Sequence, residues 1–194
     1  MNKIKIYSVV SIDGFSCPPD GSMDWIAEAG IPRGVDLGIH AFYEGISTVA
    51  MTLGHYLSLL GCELLGPHME KPCLLIRPRQ ELEITSAHPV EYVTDADHGF
   101  PAAVKRLREL KTSGPGDIWV AGDDKLLCAL FKAEIIDEVI LTMIPVSLGK
   151  GIKIFPADFN EKKWKARNVE VNDRSGISQI HYQYREDSET QLMN

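Results

Sequence analysis

Gly122 and the run Gly149, Lys150, Gly151 stand where this sequence can hold a cofactor against its own backbone. Ile118, Trp119 and Val120 form a short apolar run with β-branched and aromatic members, and Gly122 ends it where the chain must turn sharply. Leu126, Leu127, Leu130 and Phe131 then recur at helical spacing, Glu138 to Ile144 reads as a buried strand, and LGKGIKIFP follows as a glycine loop. Strand, glycine turn, helix, strand and glycine loop in that order predict two glycine turns lying close together at one end of a sheet. A third turn, Ser11 to Gly14, follows the first apolar run, and its Asp13-Gly14 pair is turn chemistry in its own right.

The elements that would position these turns alternate along the chain. Lys3 to Val10 predicts a first strand, with Ile4 and Ile6 facing one side and Tyr7 and Val9 the other. Val35 to Tyr43 predicts a helix, Ser47 to Met51 a strand, Cys73 to Ile76 a strand between Pro72 and Pro78, and Val90 to Val93 a weaker strand. Pro101 suits a first helical turn, and Val104, Leu107 and Leu110 make the apolar stripe of a basic helix ending near Gly114. Trp164 to Val171 and Ile177 to Tyr184 flank the turn-rich NDRSG and predict an antiparallel hairpin. The expected fold class is α/β, with a mostly parallel central sheet and an antiparallel strand or hairpin at its C-terminal edge.

Composition narrows the partners. A chain of 194 residues with 44% hydrophobic and 24% charged residues can bury a large core without disulfides, and a single domain over residues 1–186 with a flexible tail at 187–194 is expected. A formal net charge of -7 argues against a broad nucleic-acid surface or an anionic membrane, while leaving room for a local anion pocket. Absence of a long uncharged apolar run makes a cytoplasmic location the expectation. Cys17, Cys62, Cys73 and Cys128 lack paired zinc or redox spacing, the histidines form no ligand pair, and no metal is expected. No G-x-S-x-G elbow is present, which counts against a hydrolase.

The opening KIYSVVSIDGFSCPPDGSMDWI and the later DIWVAGDDKLLCALFKAEIIDEVILTMIPVSLGKGIKIFP together resemble a known family. It is that of the bacterial dihydrofolate reductase-like proteins, related to the C-terminal reductase domain of the riboflavin biosynthesis deaminase-reductase. The resemblance lies in the order of motifs: a first strand with a Ser-x-Asp-Gly turn, an Asp-Trp helix entry, a glycine turn, an Ile-Asp-Glu strand entry and a Leu-Gly-x-Gly…Phe-Pro loop. It implies the dihydrofolate reductase fold, NADPH as cofactor, a pterin- or pyrimidine-like heterocycle as small-molecule substrate, and a homodimer; the apolar hairpin with Trp164, Tyr182 and Tyr184 fits either an interface or core packing.

Hydride transfer from a nicotinamide needs a slot for the ring, donors for the pyrophosphate and a source of a proton. The resemblance places Val10, Ser11, Gly149, Lys150 and Gly151 at that slot and Thr52, Leu53, Arg77, Gly122, Asp123 and Asp124 at the cofactor phosphates. Asp24 and Trp25 can orient a planar nitrogen heterocycle by hydrogen bonding and ring contact. Alternatively, Asp24 complements a helix dipole and Trp25 is core. Asp13 is open between a proton relay and a turn residue.

Three positions depart from the family pattern. Thr52-Leu53-Gly54-His55 stands where the family has Gly-Arg, Gly122-Asp123-Asp124 where it has a glycine run, and Ile76-Arg77 where it has Ser-Arg. Either aspartate suits a helix cap but faces an anionic ligand badly. Two unit charges about 5 Å apart at an effective dielectric of about 20 repel by roughly 3 kcal/mol before salt screening, about a hundredfold in affinity. Arg77, with Arg79 close by, fits either a 2′-phosphate reader or a solvated loop. The sequence therefore predicts an NADPH-dependent reductase, with two alternatives: a non-catalytic binding or structural dimer that lost its phosphate loops, and the riboflavin-pathway pyrimidine reductase itself.

Overall fold

Short β-branched runs separated by amphipathic helices can bury both faces of a sheet only if the strands run parallel, and the chain adopts that solution. The computed structural model describes residues 1–31, 38–61, 71–79, 84, 89–96, 99–122, 124–155 and 161–184. Its elements are β1 (Ile4–Ser11), β2 (Phe15–Cys17), α1 (Asp24–Glu28), α2 (Ile39–Glu44), β3 (Ile46–Thr52), α3 (Leu53–Gly61), β4 (Cys73–Arg77), β5 (Val90–Thr94), α4 (Pro101–Ser113), β6 (Asp117–Val120), α5 (Asp124–Lys132), β7 (Glu138–Ile144), β8 (Ile152–Lys153), β9 (Trp164–Val171) and β10 (Ser178–Tyr184). Eight strands form one sheet in the order β5-β4-β3-β6-β1-β7-β10-β9. The six from β5 to β7 are parallel, and the β9–β10 hairpin closes the edge antiparallel.

Alternation along the strands builds two cores. Ile4, Ile6, Val10, Leu74, Ile76, Ile118 and Val120 face α4 and α5, where Leu107, Leu126 and Leu130 are fully buried. Val49, Met51, Leu75, Trp119 and Ala121 face the other way, toward Tyr43 of α2 and Leu53 and Tyr56 of α3. The basic helix α4 starts at Pro101 as its sequence predicts. Phe100, at the helix entry, has no side-chain cap, and the buried carboxylate of Asp95 instead accepts the amides of Ala102 and Ala103 at 2.8 and 3.0 Å.

Two features depart from the sequence reading. Within the described residues the helix expected from Val35 begins only at Ile39, after Gly38 at φ 79°; residues 35–37, Asp123 and the expected tail lie outside the described set. The short pair β2–β8 was not anticipated, because strands of three and two residues carry no periodicity.

That pair brings the first turn and the last loop together. A Cβ built on Gly151 would lie 2.1 Å from the Cys17 carbonyl oxygen, so only glycine lets β8 approach β2. Gly151→Ala is expected to destabilise the fold by about 1–3 kcal/mol, read as a lower melting temperature. Gly54→Ala, where nothing lies within 4 Å, is the control and should not lower it. Equal melting temperatures for Gly151→Ala and the native chain would contradict the close approach.

Candidate cofactor and substrate site

At its foot, β1 is fastened to both neighbours. The Lys3 amide donates to Asp117 Oδ1 and the Ile4 amide to Asp137 Oδ2, each at 2.8 Å, while Lys5 and Lys111 pair with the same two carboxylates at 2.8 and 2.6 Å. Burial opposes ionisation of Asp117, but the hydrogen bonds from Lys5 and the Lys3 amide outweigh it and lower its pKa.

Higher up the strands the arrangement changes. β1 pairs with β6 only at Ile4–Ile118 and Lys5–Trp119, yet it continues beside β7 through seven pairs as far as Ser11–Ile144. β6 stays instead with β3, through Ala50–Val120 and the bond from the Ala121 amide to the Ala50 carbonyl at 3.0 Å. From Tyr7 onward the β1–β6 ladder has ended. The division lies where the chain order reverses direction across the sheet, since β3 to β5 extend to one side of it and β7 to the other. In open α/β sheets, ligands bind outside the carboxyl ends of the strands at such a point.

The candidate residues are arrayed along this edge. Arg77 ends β4, Thr52 ends β3 and Leu53 opens α3, Gly122 follows β6, Asp124 opens α5, Val10 and Ser11 end β1, and Gly149, Lys150 and Gly151 follow β7. Asp24 and Trp25 are on α1; among the described residues neither side chain hydrogen-bonds another candidate. Asp24 is exposed at the first helical position, whereas Trp25 is 6% exposed and its buried indole Nε1–H has no hydrogen-bond partner among the described residues.

Asp13 joins the first turn to the last loop. Its Oδ1 accepts the Ser11 hydroxyl at 2.5 Å and the Leu148 amide at 3.1 Å; its Oδ2 accepts the Gly149 amide at 2.7 Å and the Ser147 hydroxyl at 2.9 Å. The Ser11 bond, followed by those from Gly149, Leu148 and Ser147, holds the Asp13 carboxyl well below the usual carboxylate range. Asp13 thus clamps the first turn to the last loop. Ser11, 1% exposed, also accepts the Phe15 amide at 3.0 Å, so its hydroxyl is engaged inside the turn.

The three departures acquire geometry. Thr52 Oγ1 accepts the His55 amide at 3.2 Å and caps α3, while Leu53 is buried in the second core and Gly54 is exposed. Arg77 is 6% exposed: its guanidinium lies 4.3 Å over the Tyr92 ring, and its Nε reaches Thr94 Oγ1 at 3.4 Å. That is a buried stacked arginine, not the solvated loop residue the sequence also allowed. Asp124 is exposed in the first turn of α5.

Sequence reasoning did not find Ser147 and Leu148, which hold Asp13, nor the polar group of Tyr7, Thr142 and Gln179 on the α2 side of the sheet. Thr142, inside the run VILTMI, was the one available signal for the latter. Among the described residues no three His, Cys, Asp or Glu side chains converge to hold a metal, no disulfide joins Cys17, Cys73 or Cys128, and no helix is long and apolar enough to cross a membrane.

Comparison with known proteins agrees with this fold. The family model of the RibD C-terminal domain matches residues 76–175, more than half of the chain. YwjB, an uncharacterized protein of Bacillus subtilis (strain 168), is 31% identical over 180 residues, covering 93% of this chain and 97% of that one. A Thermotoga maritima diaminohydroxyphosphoribosylaminopyrimidine deaminase/5-amino-6-(5-phosphoribosylamino)uracil reductase superposes with a TM-score of 0.67 at 16% identity, over 95% of this chain and 57% of that one. Dihydrofolate reductase of Enterococcus faecalis, solved with NADP(H), superposes with a TM-score of 0.61 at 13% identity, over 95% and 97%. The fold is dihydrofolate reductase-like, and the chain belongs to the RibD C-terminal domain family.

Proposed function

We propose that this protein is an NADPH-dependent reductase that transfers hydride to a pterin- or pyrimidine-like heterocycle. The observation that carries the reading is the end of the β1–β6 ladder at the reversal point of the sheet, with the candidate residues arrayed along that edge. Bound there, the nicotinamide would supply the hydride; the chain's own residues bind, orient and exclude water.

The residues present fit such a group. Helices α3 and α5 both start at this edge, and the exposed Gly54 near the start of α3 has open space around its Cα. Lys150 is an exposed cation on the loop after β7. Thr52 to Gly54, Gly122 and Asp124 would flank the phosphates, and Gly149 to Gly151 with Val10 and Ser11 would hold the nicotinamide end. Arg77 would meet the 2′-phosphate from its place on Tyr92. Trp25 would offer its indole N–H to the substrate ring and Asp24 would accept from the ring's N–H edge. Asp13 acts as the clamp that sets the slot.

The riboflavin-pathway pyrimidine reductase is the narrower form of this proposal, supported by the family match and by the printed activity of the Thermotoga maritima protein. A non-catalytic binding protein is the second reading, favoured by the exposed Asp124 in the first turn of α5. A homodimer through the outer hairpin belongs to either reading, with Val169 and Val171 of edge strand β9 58% and 63% exposed.

Calorimetric titration with NADPH at low salt tests the reading: measurable binding is expected, and its absence would leave the non-catalytic scaffold. Asp124→Asn should tighten NADPH severalfold at low salt and by less as ionic strength rises. Unchanged affinity at low salt would show that Asp124 does not face the phosphates.

The clamp has its own test. Asparagine at position 13 can accept at only one atom, so Asp13→Asn should speed amide hydrogen exchange at Leu148 and Gly149. Because folding depresses the Asp13 pKa, its stabilisation is full above the unfolded value of about 3.9 and is lost progressively as pH falls from there through the lower folded value. The stability gap between the native chain and Asp13→Asn should therefore be full at pH 7 and shrink below about pH 4. A gap independent of pH would contradict the clamp.

A further inference from the structure

β9 is the outermost strand of the sheet, and from Lys165 to Val171 it is exposed. Among the described residues no strand lies beyond it, so its outward N–H and C=O groups are a template for one more strand. The ladder fixes which residues carry those groups, because in an antiparallel pair alternate residues turn both backbone groups to the same neighbour. The Asn172 amide bonds the Ile177 carbonyl at 2.8 Å, so Glu170 and Asn168 turn theirs inward to β10, and Val171 and Val169 turn theirs outward. The register shifts once, at Arg167, which leaves Ala166 opposite Tyr182 and Trp164 opposite Tyr184. The Tyr184 amide bonds the Asp137 carbonyl at 2.9 Å, on the β7 side. Trp164 and Ala166 therefore turn their groups outward as well, with Lys165 inward between them.

The side chains sort by the same rule. Trp164, Ala166, Val169 and Val171 share the face of Ile180, Tyr182 and Tyr184, the α5 side, where Trp164 meets Phe131 edge-on at 6.4 Å. Lys165, Asn168 and Glu170 share the opposite face with Gln179, His181 and Gln183, and Asn168 Nδ2 donates to Glu170 Oε1 at 2.6 Å.

These positions complement themselves about the midpoint of the strand, between Arg167 and Asn168. Turned antiparallel against its own copy, β9 sets Trp164 against Val171 and Ala166 against Val169, outward backbone to outward backbone and apolar to apolar. Lys165 then stands opposite Glu170 where neither turns its backbone to the other copy, the kind of site at which facing side chains come closest. A two-fold axis makes each of these pairs occur twice, and it brings the two register shifts to the same level, so the match is unbroken on either side. Aromatic against β-branched and opposite charge against opposite charge are the stabilising cross-strand pairs.

We propose that β9 is a docking edge for a second copy of this chain, paired antiparallel about Arg167 and Asn168 so that two sheets become one. This rests on the homodimer reading of the outer hairpin and goes with either reading of the crevice.

Sedimentation equilibrium of the full chain over a range of concentrations tests it. The native protein is expected to be a dimer. Val169→Pro, whose lost N–H points outward, removes a bond from the dimer alone and should give a monomer with native circular dichroism. Lys165→Glu sets like charges opposite each other twice and should weaken the dimer roughly tenfold, while Lys165→Glu combined with Glu170→Lys should restore it. The charge exchange decides the matter if Val169→Pro fails to fold. A native chain that stays monomeric overturns the homodimer reading together with this edge. A dimer that Val169→Pro or Lys165→Glu leaves intact, or that the double exchange does not restore, overturns the edge alone.

Discussion

A parallel strand between two neighbours can keep both ladders only while those neighbours stay abreast, and in this protein they do not. β6 follows β3 and β1 follows β7, so the sheet divides between β6 and β1 above Lys5. Below that level the carboxylates of Asp117 and Asp137 tie the β1 amides to the chain on either side, and the division cannot run the length of the sheet. The consequence is a place where two strand ends, two helix starts and two glycine turns meet without another strand between them.

The Asp13 clamp follows from the same division. With no β6 ladder beside its upper half, β1 ends in a turn that needs support from elsewhere, and it takes that support from the β7–β8 loop through one carboxylate. Four donors converge on it, two of them backbone amides, and ionised acceptors make the stronger hydrogen bonds. Gly151 completes the arrangement by letting that loop approach Cys17 at a distance no side chain would allow. A turn and a loop more than a hundred residues apart are thus held together.

Much of the fold was legible because burial writes itself into local pattern. The runs IWV and EVILTMI, the stripe Val104, Leu107, Leu110 and the hairpin around NDRSG all became the elements their periodicity predicts. The glycine turns and the first turn were legible as positions, and they do share one edge of the sheet. The contacts were not. Asp13 and Ser147 are 134 residues apart, and nothing near Asp13 distinguishes a carboxylate that accepts four bonds from an ordinary Asp-Gly turn. The burial of Arg77 was hidden because its partner Tyr92 belongs to the next parallel strand, whose register the sequence does not state. The division of the sheet was hidden for the same reason: it is a relation between two ladders, not a property of any segment.

The central claim concerns where the cofactor lies, and a crystal structure of the protein with NADPH addresses it directly. The account predicts the nicotinamide ring between Tyr7–Ser11 of β1 and Val120–Gly122 at the end of β6, with the phosphates over the starts of α3 and α5. Cofactor bound elsewhere on the molecule, or that crevice filled by protein side chains in the presence of saturating NADPH, would contradict it.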